Sequence, residues 1–449
     1  MPSAFCGEAM KQIGRYQVIR RLGKGGMGSV YKAIVPVIDK VVAVKLLDPN
    51  DLLEDILGAD QLREIFTFEA RTMAAFNQPF LVTAYDFDHD KLGRPFFVMD
   101  YICNNLGEMI GETFRLEADS RIIQATKVLH YGSQILAGLD FLHHNDIIHR
   151  DIKPQNILVT DEDTIKICDF GMALVGGVSF SGPDNMQIGS PYYTPPEQRK
   201  NPKAVDGRAD LYSVAVMLYR MLTGKLPGMQ NLSLSLVNHQ YDQSWDDFFL
   251  KALRWQPADR FQSAGEMRAA MKQLGLGSPA PERQCPLPQP GDSRGILRSE
   301  PINVFRSRAR DQFGVTSLLQ PVESVCNVLE MDDVIVVDHA TGLVWQRKGS
   351  RYPLPLAEAQ SYVEALNAQG FQSCRHWRLP TVNELLSLLS DAGRQALFSH
   401  LPAEQTMKCL WSCDRHGHHE SWYVNMDMGF AGVQDIACRN HVRAVCTLC

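Results

Sequence analysis

At 449 residues the chain has room for about two or three domains. It carries 45 Lys and Arg against 51 Asp and Glu, a formal charge of −6, which argues against a basic nucleic-acid binder and supplies no membrane-surface patch. With 45% hydrophobic and 21% charged residues it can bury a core, so it is neither disordered nor membrane-embedded on average. No run reaches the ~18 apolar residues of a spanning helix, and the first 14 residues lack the basic start and apolar stretch of a secretory signal. The expectation is a soluble, cytoplasmic protein with mostly reduced thiols. Eight of the 11 cysteines and four of the six tryptophans lie beyond residue 280, so the composition changes along the chain.

After an N-terminal segment (1–14), residues 15–274 read as one mixed α+β domain. Strand-like segments at 16–22, 29–34, 41–46 and 96–101 carry β-branched and aromatic residues bounded by Gly, Asp or Pro. Helical patterns follow at 125–143, 210–222 and 245–253. A β-rich first third and a helical remainder suggest two lobes rather than a doubly wound sheet. Five prolines between 278 and 292, then five arginines against one glutamate between 294 and 310, mark residues 275–333 as a Pro/Arg-rich linker. It reads as a solvated tether, with docking or autophosphorylation through Ser299, Ser307 or Ser317 as the sharper reading. A second compact domain occupies 334–449, with strands expected at 334–338, 421–426 and 442–445 and helices at 356–369 and 383–389.

Chemistry-bearing residues come in a fixed order in the first domain. Leu22-Gly23-Lys24-Gly25-Gly26-Met27-Gly28-Ser29-Val30 lies between two expected strands, where glycines let backbone N–H groups approach phosphate oxygens. A Rossmann loop shares the spacing but opens a helix, and 30–33 reads as a strand. Val42-Ala43-Val44-Lys45 puts a lysine on an apolar strand, a costly position unless a phosphate and an acid pair it. Glu69, in the helical stretch 66–76, is the first choice of acid and Glu64 the rival. His149-Arg150-Asp151 with Lys153 and Asn156 follows, then Asp169-Phe170-Gly171. Together they supply what phosphoryl transfer needs: a carboxylate to accept a hydroxyl proton, and a carboxylate plus an amide to hold Mg²⁺.

In these motifs and their order, residues 15–274 resemble the eukaryotic-like serine/threonine protein kinase family, in particular its bacterial branch. The resemblance implies a bilobal protein-kinase fold and transfer of the γ-phosphate of ATP to Ser or Thr of protein substrates, autophosphorylation included. It implies ATP and Mg²⁺, with Mn²⁺ as an alternative. By the same resemblance Gly23 to Gly28 cover the phosphates, Leu22, Val30 and Ala43 line the adenine pocket, and Lys45 pairs with Glu69. Asp151 becomes the catalytic base, while Asn156 and Asp169 hold the metal. Lys153 is the serine/threonine-type feature, Met99 the gatekeeper, and Asp100-Tyr101-Ile102 the hinge. Pro195-Pro196-Glu197 stands where the family has Ala-Pro-Glu, with Glu197 expected to pair with Arg260, and Asp210 matches the aspartate bracing the catalytic loop. Arg150 before Asp151 implies a phosphorylated activation segment, for which Ser179 and Ser181 are the candidates; Ser190 replaces the usual substrate-loop threonine. The competing class is a pseudokinase or nucleotide-binding scaffold presenting the second domain.

In the second domain, His376-Trp377-Arg378-Leu379-Pro380-Thr381 precedes an apolar helix, with Thr381 and Glu384 spaced as a capping box. This pattern resembles the Lcl-type C-terminal domain over 334–446, with Cys446 departing from its usual final arginine. The resemblance implies a small C-type-lectin-like α+β module for sensing or binding an unidentified ligand, and no catalytic residues. Its tryptophans read as core. Cys409, Cys413, His416, His418, His419, Cys438, His441, Cys446 and Cys449 leave three readings open: buried thiols, disulfides, or a structural zinc site.

Overall fold

The computed structural model describes residues 12–112, 118–171, 173–175, 190–202, 204–228, 233–275, 297–373, 376–391, 397–399 and 407–448. They fall into two compact units, residues 12–119 with 126–275, and residues 120–125 with 297–448. No helix among them is long and apolar enough to cross a membrane.

The first unit opens with strands β1 (Gln12–Ile13), β2 (Tyr16–Lys24), β3 (Gly28–Ile34) and β4 (Val41–Leu47), helices α1 (Asp51–Leu57) and α2 (Ala59–Ala75), then β5 (Ala84–His89) and β6 (Pro95–Asp100). The strands form an antiparallel sheet in the order β1-β2-β3-β4-β6-β5. Period-two alternation on β4 sends Val42, Val44 and Leu46 into a core with Tyr16, Phe96 and Val98, which leaves Ala43 and Lys45 on the opposite face. Helix α2 buries Leu62, Phe66, Glu69 and Met73.

A helical lobe follows: β7 (Asn104–Asn105), α3 (Leu106–Ile110), α4 (Ala125–His144), β8 (Ile147–Ile148), β9 (Ile157–Val159), β10 (Ile165–Ile167), β11 (Leu174–Val175), α5 (Pro196–Lys200), α6 (Arg208–Thr223), α7 (Leu234–Val237), α8 (Gln243–Ala252) and α9 (Ala264–Met271). Helix α6 is buried nearly all round, which makes it the axle of this lobe. It stops at Gly224, whose φ of 74° a residue with a Cβ adopts only under strain. The bilobal expectation holds.

The second unit contains α10 (Arg306–Phe313), β12 (Leu329–Met331), β13 (Ile335–Asp338), β14 (Leu343–Gln346), α11 (Leu356–Ala368), α12 (Val382–Leu386), β15 (Leu389–Asp391), β16 (Leu397–Ser399), β17 (Cys409–Arg415), β18 (Glu420–Asn425), β19 (Phe430–Asp435) and β20 (Val445–Thr447). Two antiparallel sheets, β12-β13-β14-β20 and β17-β18-β19, enclose a core with Trp345, Leu385, Trp422 and Val445. The tryptophans of this unit are core, as expected.

Residues 297–333 require a correction, because they belong to this fold and are not a tether. Val304, Ala309, Phe313 and Val315 join the core. Trp422 donates its indole N–H to Val304 O at 2.9 Å, and Phe313 meets Trp422 edge-on at 4.9 Å. The arginines that suggest a solvated segment sit between apolar residues spaced to fill one face of α10. The Pro-rich stretch 276–296 lies outside the described residues.

The capping box on α12 forms: Thr381 Oγ1 accepts from Glu384 N, and Glu384 Oε2 accepts from Thr381 N at 2.8 Å. Thr381 is fully buried and also donates to Arg298 O at 2.9 Å. Thr381→Ala is expected to destabilise this unit by about 1–2 kcal/mol, read as a lowered denaturant midpoint.

Candidate active site

The glycine-rich loop joins β2 to β3. A Cβ on Gly28 would lie 2.3 Å from Leu46 O, so this glycine is required by strand packing. Gly23, Gly25 and Gly26 face open space, with nothing nearer than 3.7 Å. Packing therefore does not explain them. Lys24 pairs with Asp48 at 3.3 Å, and Ser29 donates to the same carboxylate at 3.0 Å. Leu22, Met27 and Val30 are half-buried. Ala43 lies opposite Met99 in the β4–β6 register. Asp100 pairs with Lys40 at 3.1 Å, and Ile102 follows β6, half-buried.

On the other face of β4, Lys45 Nζ donates to Glu69 Oε1 at 2.7 Å, Glu69 Oε2 at 2.9 Å and Asp169 Oδ1 at 3.0 Å. Glu69 is buried and Glu64 exposed, so α2 selects Glu69 as partner. Gly171 allows this convergence: a Cβ there would stand 2.5 Å from Met27 Cε and 3.3 Å from Glu69 Oε2. Asp169 takes φ of +67° and Arg150 +65°, strained for residues with a Cβ, so backbone strain flanks the site on both sides.

Asp151 is buried and both its carboxylate oxygens are engaged. Oδ2 accepts from Lys153 Nζ at 2.6 Å and Asn156 Nδ2 at 3.1 Å. Oδ1 accepts from the Ser190 N–H at 3.1 Å and hydroxyl at 3.3 Å. Asn156 Nδ2 also donates to Asp151 O at 2.8 Å, which spends the amide nitrogen and leaves Oδ1 as the outward acceptor. The Lys45–Glu69–Asp169 cluster connects to this one through the Cys168 N–H, which donates to Asn156 O at 3.0 Å. Phe170 is buried with its ring 5.2 Å from that of His149.

The frame beneath is a set of buried charges. Asp210 on α6 accepts from Arg150 N at 2.8 Å and His149 N at 2.9 Å, and lies 2.8 Å from His143 Nε2. These bonds hold the strained turn at Arg150. The expected Glu197–Arg260 pair is bidentate, at 2.6 and 2.8 Å. Arg260 spends its remaining donors on the carbonyls of Arg254, Trp255 and Arg208. The Arg150 guanidinium donates to Pro202 O, and burial lowers its pKa to about 10. Ser179 and Ser181 lie outside the described residues.

Ionisation follows the contacts. The Lys45 ammonium holds Asp169 down at about 2, against a smaller opposing effect of burial. Burial acts on Lys45 to lower its pKa, but Asp169 and Glu69 together hold it above the ordinary lysine range. Burial raises Glu69 to about 6, with Lys45 opposing. The ion pair requires ionised Glu69, so any reaction that depends on this pair should slow as pH drops through about 6. Stability moves the other way. A carboxyl whose folded pKa lies above its unfolded value contributes most below the unfolded value, and loses that contribution as pH rises through about 6. Glu69→Gln removes this acid limb; a pH–rate profile unchanged in Glu69→Gln would contradict the assignment.

The zinc reading gains no support from the described residues, and Cys449, one of its candidates, lies outside them. Among the described residues no group of three His, Cys, Asp or Glu side chains could hold a metal ion. Cys438 is disulfide-bonded, and burial pushes the Cys413 thiol up to about 12. Cys103 and Cys326 are also disulfide-bonded, against the expectation of reduced thiols, while Cys168, Cys409, Cys413 and Cys446 are not in disulfides.

Two residues that sequence reasoning did not place at the site are Glu112 and Tyr193. Glu112 sits in no motif and is brought in by the chain reversal after α3. Ser190 stands out in the sequence only as a substitution, and its bonds to Asp151 depend on a turn that has no sequence period.

The sequence matches the Protein kinase domain family over residues 16–274, more than half of its length. The chain belongs to the protein kinase family. A second match, to the Lcl C-terminal domain, spans residues 334–446. The kinase domain is similar to bacterial relatives. Serine/threonine-protein kinase PksC of Streptomyces coelicolor is 33% identical over 285 residues, covering 59% of this chain and 49% of that protein. A probable serine/threonine-protein kinase of Clostridium acetobutylicum is 32% identical over 268 residues, 56% of this chain and 39% of that protein. PknL of Mycobacterium tuberculosis is 29% identical over 314 residues, 66% of this chain and 74% of that protein. The kinase-family chain thus spans about half or less of the length of the first two.

Proposed function

We propose that the protein is a serine/threonine protein kinase, transferring the γ-phosphate of ATP to Ser or Thr hydroxyls of protein substrates, itself included. The observation that carries this reading is the connected hydrogen-bond set running from Lys45–Glu69–Asp169 through Asn156 to Asp151 and Lys153. In this reading Asp151 accepts the proton of the acceptor hydroxyl through Oδ1, where the Ser190 hydroxyl now donates. Lys153, 2.6 Å from Asp151, stands where a phosphoryl group in transit needs positive charge. Lys45, oriented by Glu69, is assigned to the α- and β-phosphates.

The residues assigned to the metal fit a hard divalent cation. Asp169 is held ionised, has one oxygen on Lys45, and its side chain is 45% exposed. Asn156 offers Oδ1, so both present oxygen ligands, which suits Mg²⁺ and equally Mn²⁺. The ion, when bound, neutralises charge on the phosphates. We assign the activity to the cytoplasm, where ATP is supplied, and the second unit to ligand or partner recognition.

The test is transfer of labelled γ-phosphate to casein, followed by identification of the labelled side chains by mass spectrometry. Phosphoserine and phosphothreonine are expected. A protein that binds ATP and labels neither casein nor itself is a scaffold, and the proposal fails.

A further inference from the structure

The turn that touches Asp151 is anchored at its other end by an ion pair outside the cluster assigned to the chemistry. Glu112, just after α3, and Arg220, on α6, have side chains 0% and 1% exposed, with Arg220 Nη1 3.6 Å from Glu112 Oε2. The same Oε2 accepts the Tyr193 hydroxyl at 2.6 Å, and Oε1 accepts from Gln155 Nε2 at 2.9 Å. Arg220 Nη2 is fixed by the Ala118 carbonyl at 3.2 Å. A carboxylate buried this fully is costly unless a countercharge and donors meet it, and here both do. Burial, and then the Glu112 charge, raise Tyr193 above the ordinary tyrosine range, so its hydroxyl stays a donor.

From Tyr193 the bonds continue to the catalytic aspartate. The N–H groups of Tyr193 and Thr194 donate to Ser190 O at 3.0 and 3.1 Å, and the Thr194 hydroxyl donates to it at 2.8 Å. Ser213 Oγ pins the Tyr193 carbonyl at 2.9 Å. Ser190 then donates twice to Asp151 Oδ1. Residues 190–194 are thus one closed turn, tied to Asp151 at its start and to Glu112 and Arg220 at its end. A shorter route exists through Gln155, the neighbour of Asn156, whose amide reaches Asp151. No bond runs from Glu112 to Lys45, Glu69 or Asp169.

We propose that Glu112, held by Arg220, is a positioning residue for the acceptor hydroxyl, fixing the 190–194 turn against Asp151. This rests on the kinase reading above. Glu112 bonds directly to the 190–194 turn and reaches the metal-assigned Asn156 only through its chain neighbour Gln155, so losing the ion pair affects use of the protein acceptor more than use of ATP.

The experiment compares wild type, Tyr193→Phe, Glu112→Gln, Glu112→Ala and the Glu112→Ala/Tyr193→Phe double variant of the full chain. It measures kcat and KM for casein and for ATP, and the melting midpoint. Tyr193→Phe, which removes one hydroxyl and keeps the ring, is expected to lower kcat/KM for casein about tenfold and to leave the KM for ATP within about twofold. Glu112→Gln, which keeps an acceptor for the Tyr193 hydroxyl, should retain more casein activity than Glu112→Ala, and the double variant should be no worse than Glu112→Ala. A Tyr193→Phe protein within about twofold of wild type on casein overturns the proposal. So does an equal loss for casein and ATP together with a lowered melting midpoint, which marks a merely structural role. A wild type that binds ATP but labels neither casein nor itself overturns the kinase reading, and this proposal with it.

Discussion

Asp151→Asn is expected to lower phosphate transfer at least about a thousandfold while nucleotide affinity stays within about threefold. Part of the loss is the proton acceptor itself, which contributes about a hundred- to ten-thousandfold as a positioned general base. The remainder comes from the bonds around it. Oδ2 faces the Lys153 ammonium and the Asn156 amide, and Oδ1 faces two donors from Ser190. Each carboxylate oxygen meets donors only, so the NH₂ group of asparagine opposes a donor whichever way it turns. The substitution therefore misorients Lys153 or the Ser190 turn as well as removing the base. Lys45 and Asp169, which the kinase reading assigns to the phosphates and the metal, bond to each other, and Lys45 bonds Glu69, with no direct bond to Asp151 among the described residues. Single-turnover transfer alongside nucleotide binding measures the split; transfer retained within about tenfold would remove Asp151 from the role of base.

Asp414→Ala should destabilise the second unit by about 3–5 kcal/mol. The Asp414 side chain is fully buried and accepts four hydrogen bonds: Arg298 Nη1 at 2.8 Å and Nη2 at 2.7 Å, Ile302 N at 2.9 Å and Val382 N at 2.8 Å. It therefore joins the 297–304 stretch, strand β17 and the start of α12 at one point. Alanine leaves a guanidinium and two backbone N–H groups without their acceptor, and unsatisfied buried donors cost far more than a bond contributes. Tryptophan fluorescence during urea unfolding reads the effect, because Trp345, Trp377, Trp411 and Trp422 all lie in this unit. A midpoint shifted by less than the equivalent of about 1 kcal/mol would show that the network is dispensable.

The local chemistry of the first unit was largely legible because it lies in short contiguous motifs. Lys45 on an apolar strand announces a partner, and the helix carrying Glu69 supplies one within reach. The choice between Glu69 and Glu64 needed the structure, since it depends on which face of α2 meets the sheet. In the second unit, the Thr381–Glu384 box was readable from spacing alone. Strands β17 and β19 were not. They are buried along most of their length, so period-two alternation is lost, and the cysteines of β17 suggested ligands instead. The 297–333 stretch failed for a related reason: charge composition dominated a short window whose apolar residues acquire meaning only beside Trp422.

The family, the two-lobed plan of the first unit and the order of Lys45, Asp151, Asn156 and Asp169 are readable from the chain alone, because each motif encodes a local backbone requirement together with its chemistry. Which distant groups meet follows from the fold: Glu112 with Arg220 and Tyr193, Ser190 with Asp151, and Asp414 with Arg298. Those pairs span long sequence separations and follow no period. Burial is what makes them, because a charge removed from water must find its partner wherever the fold has carried it.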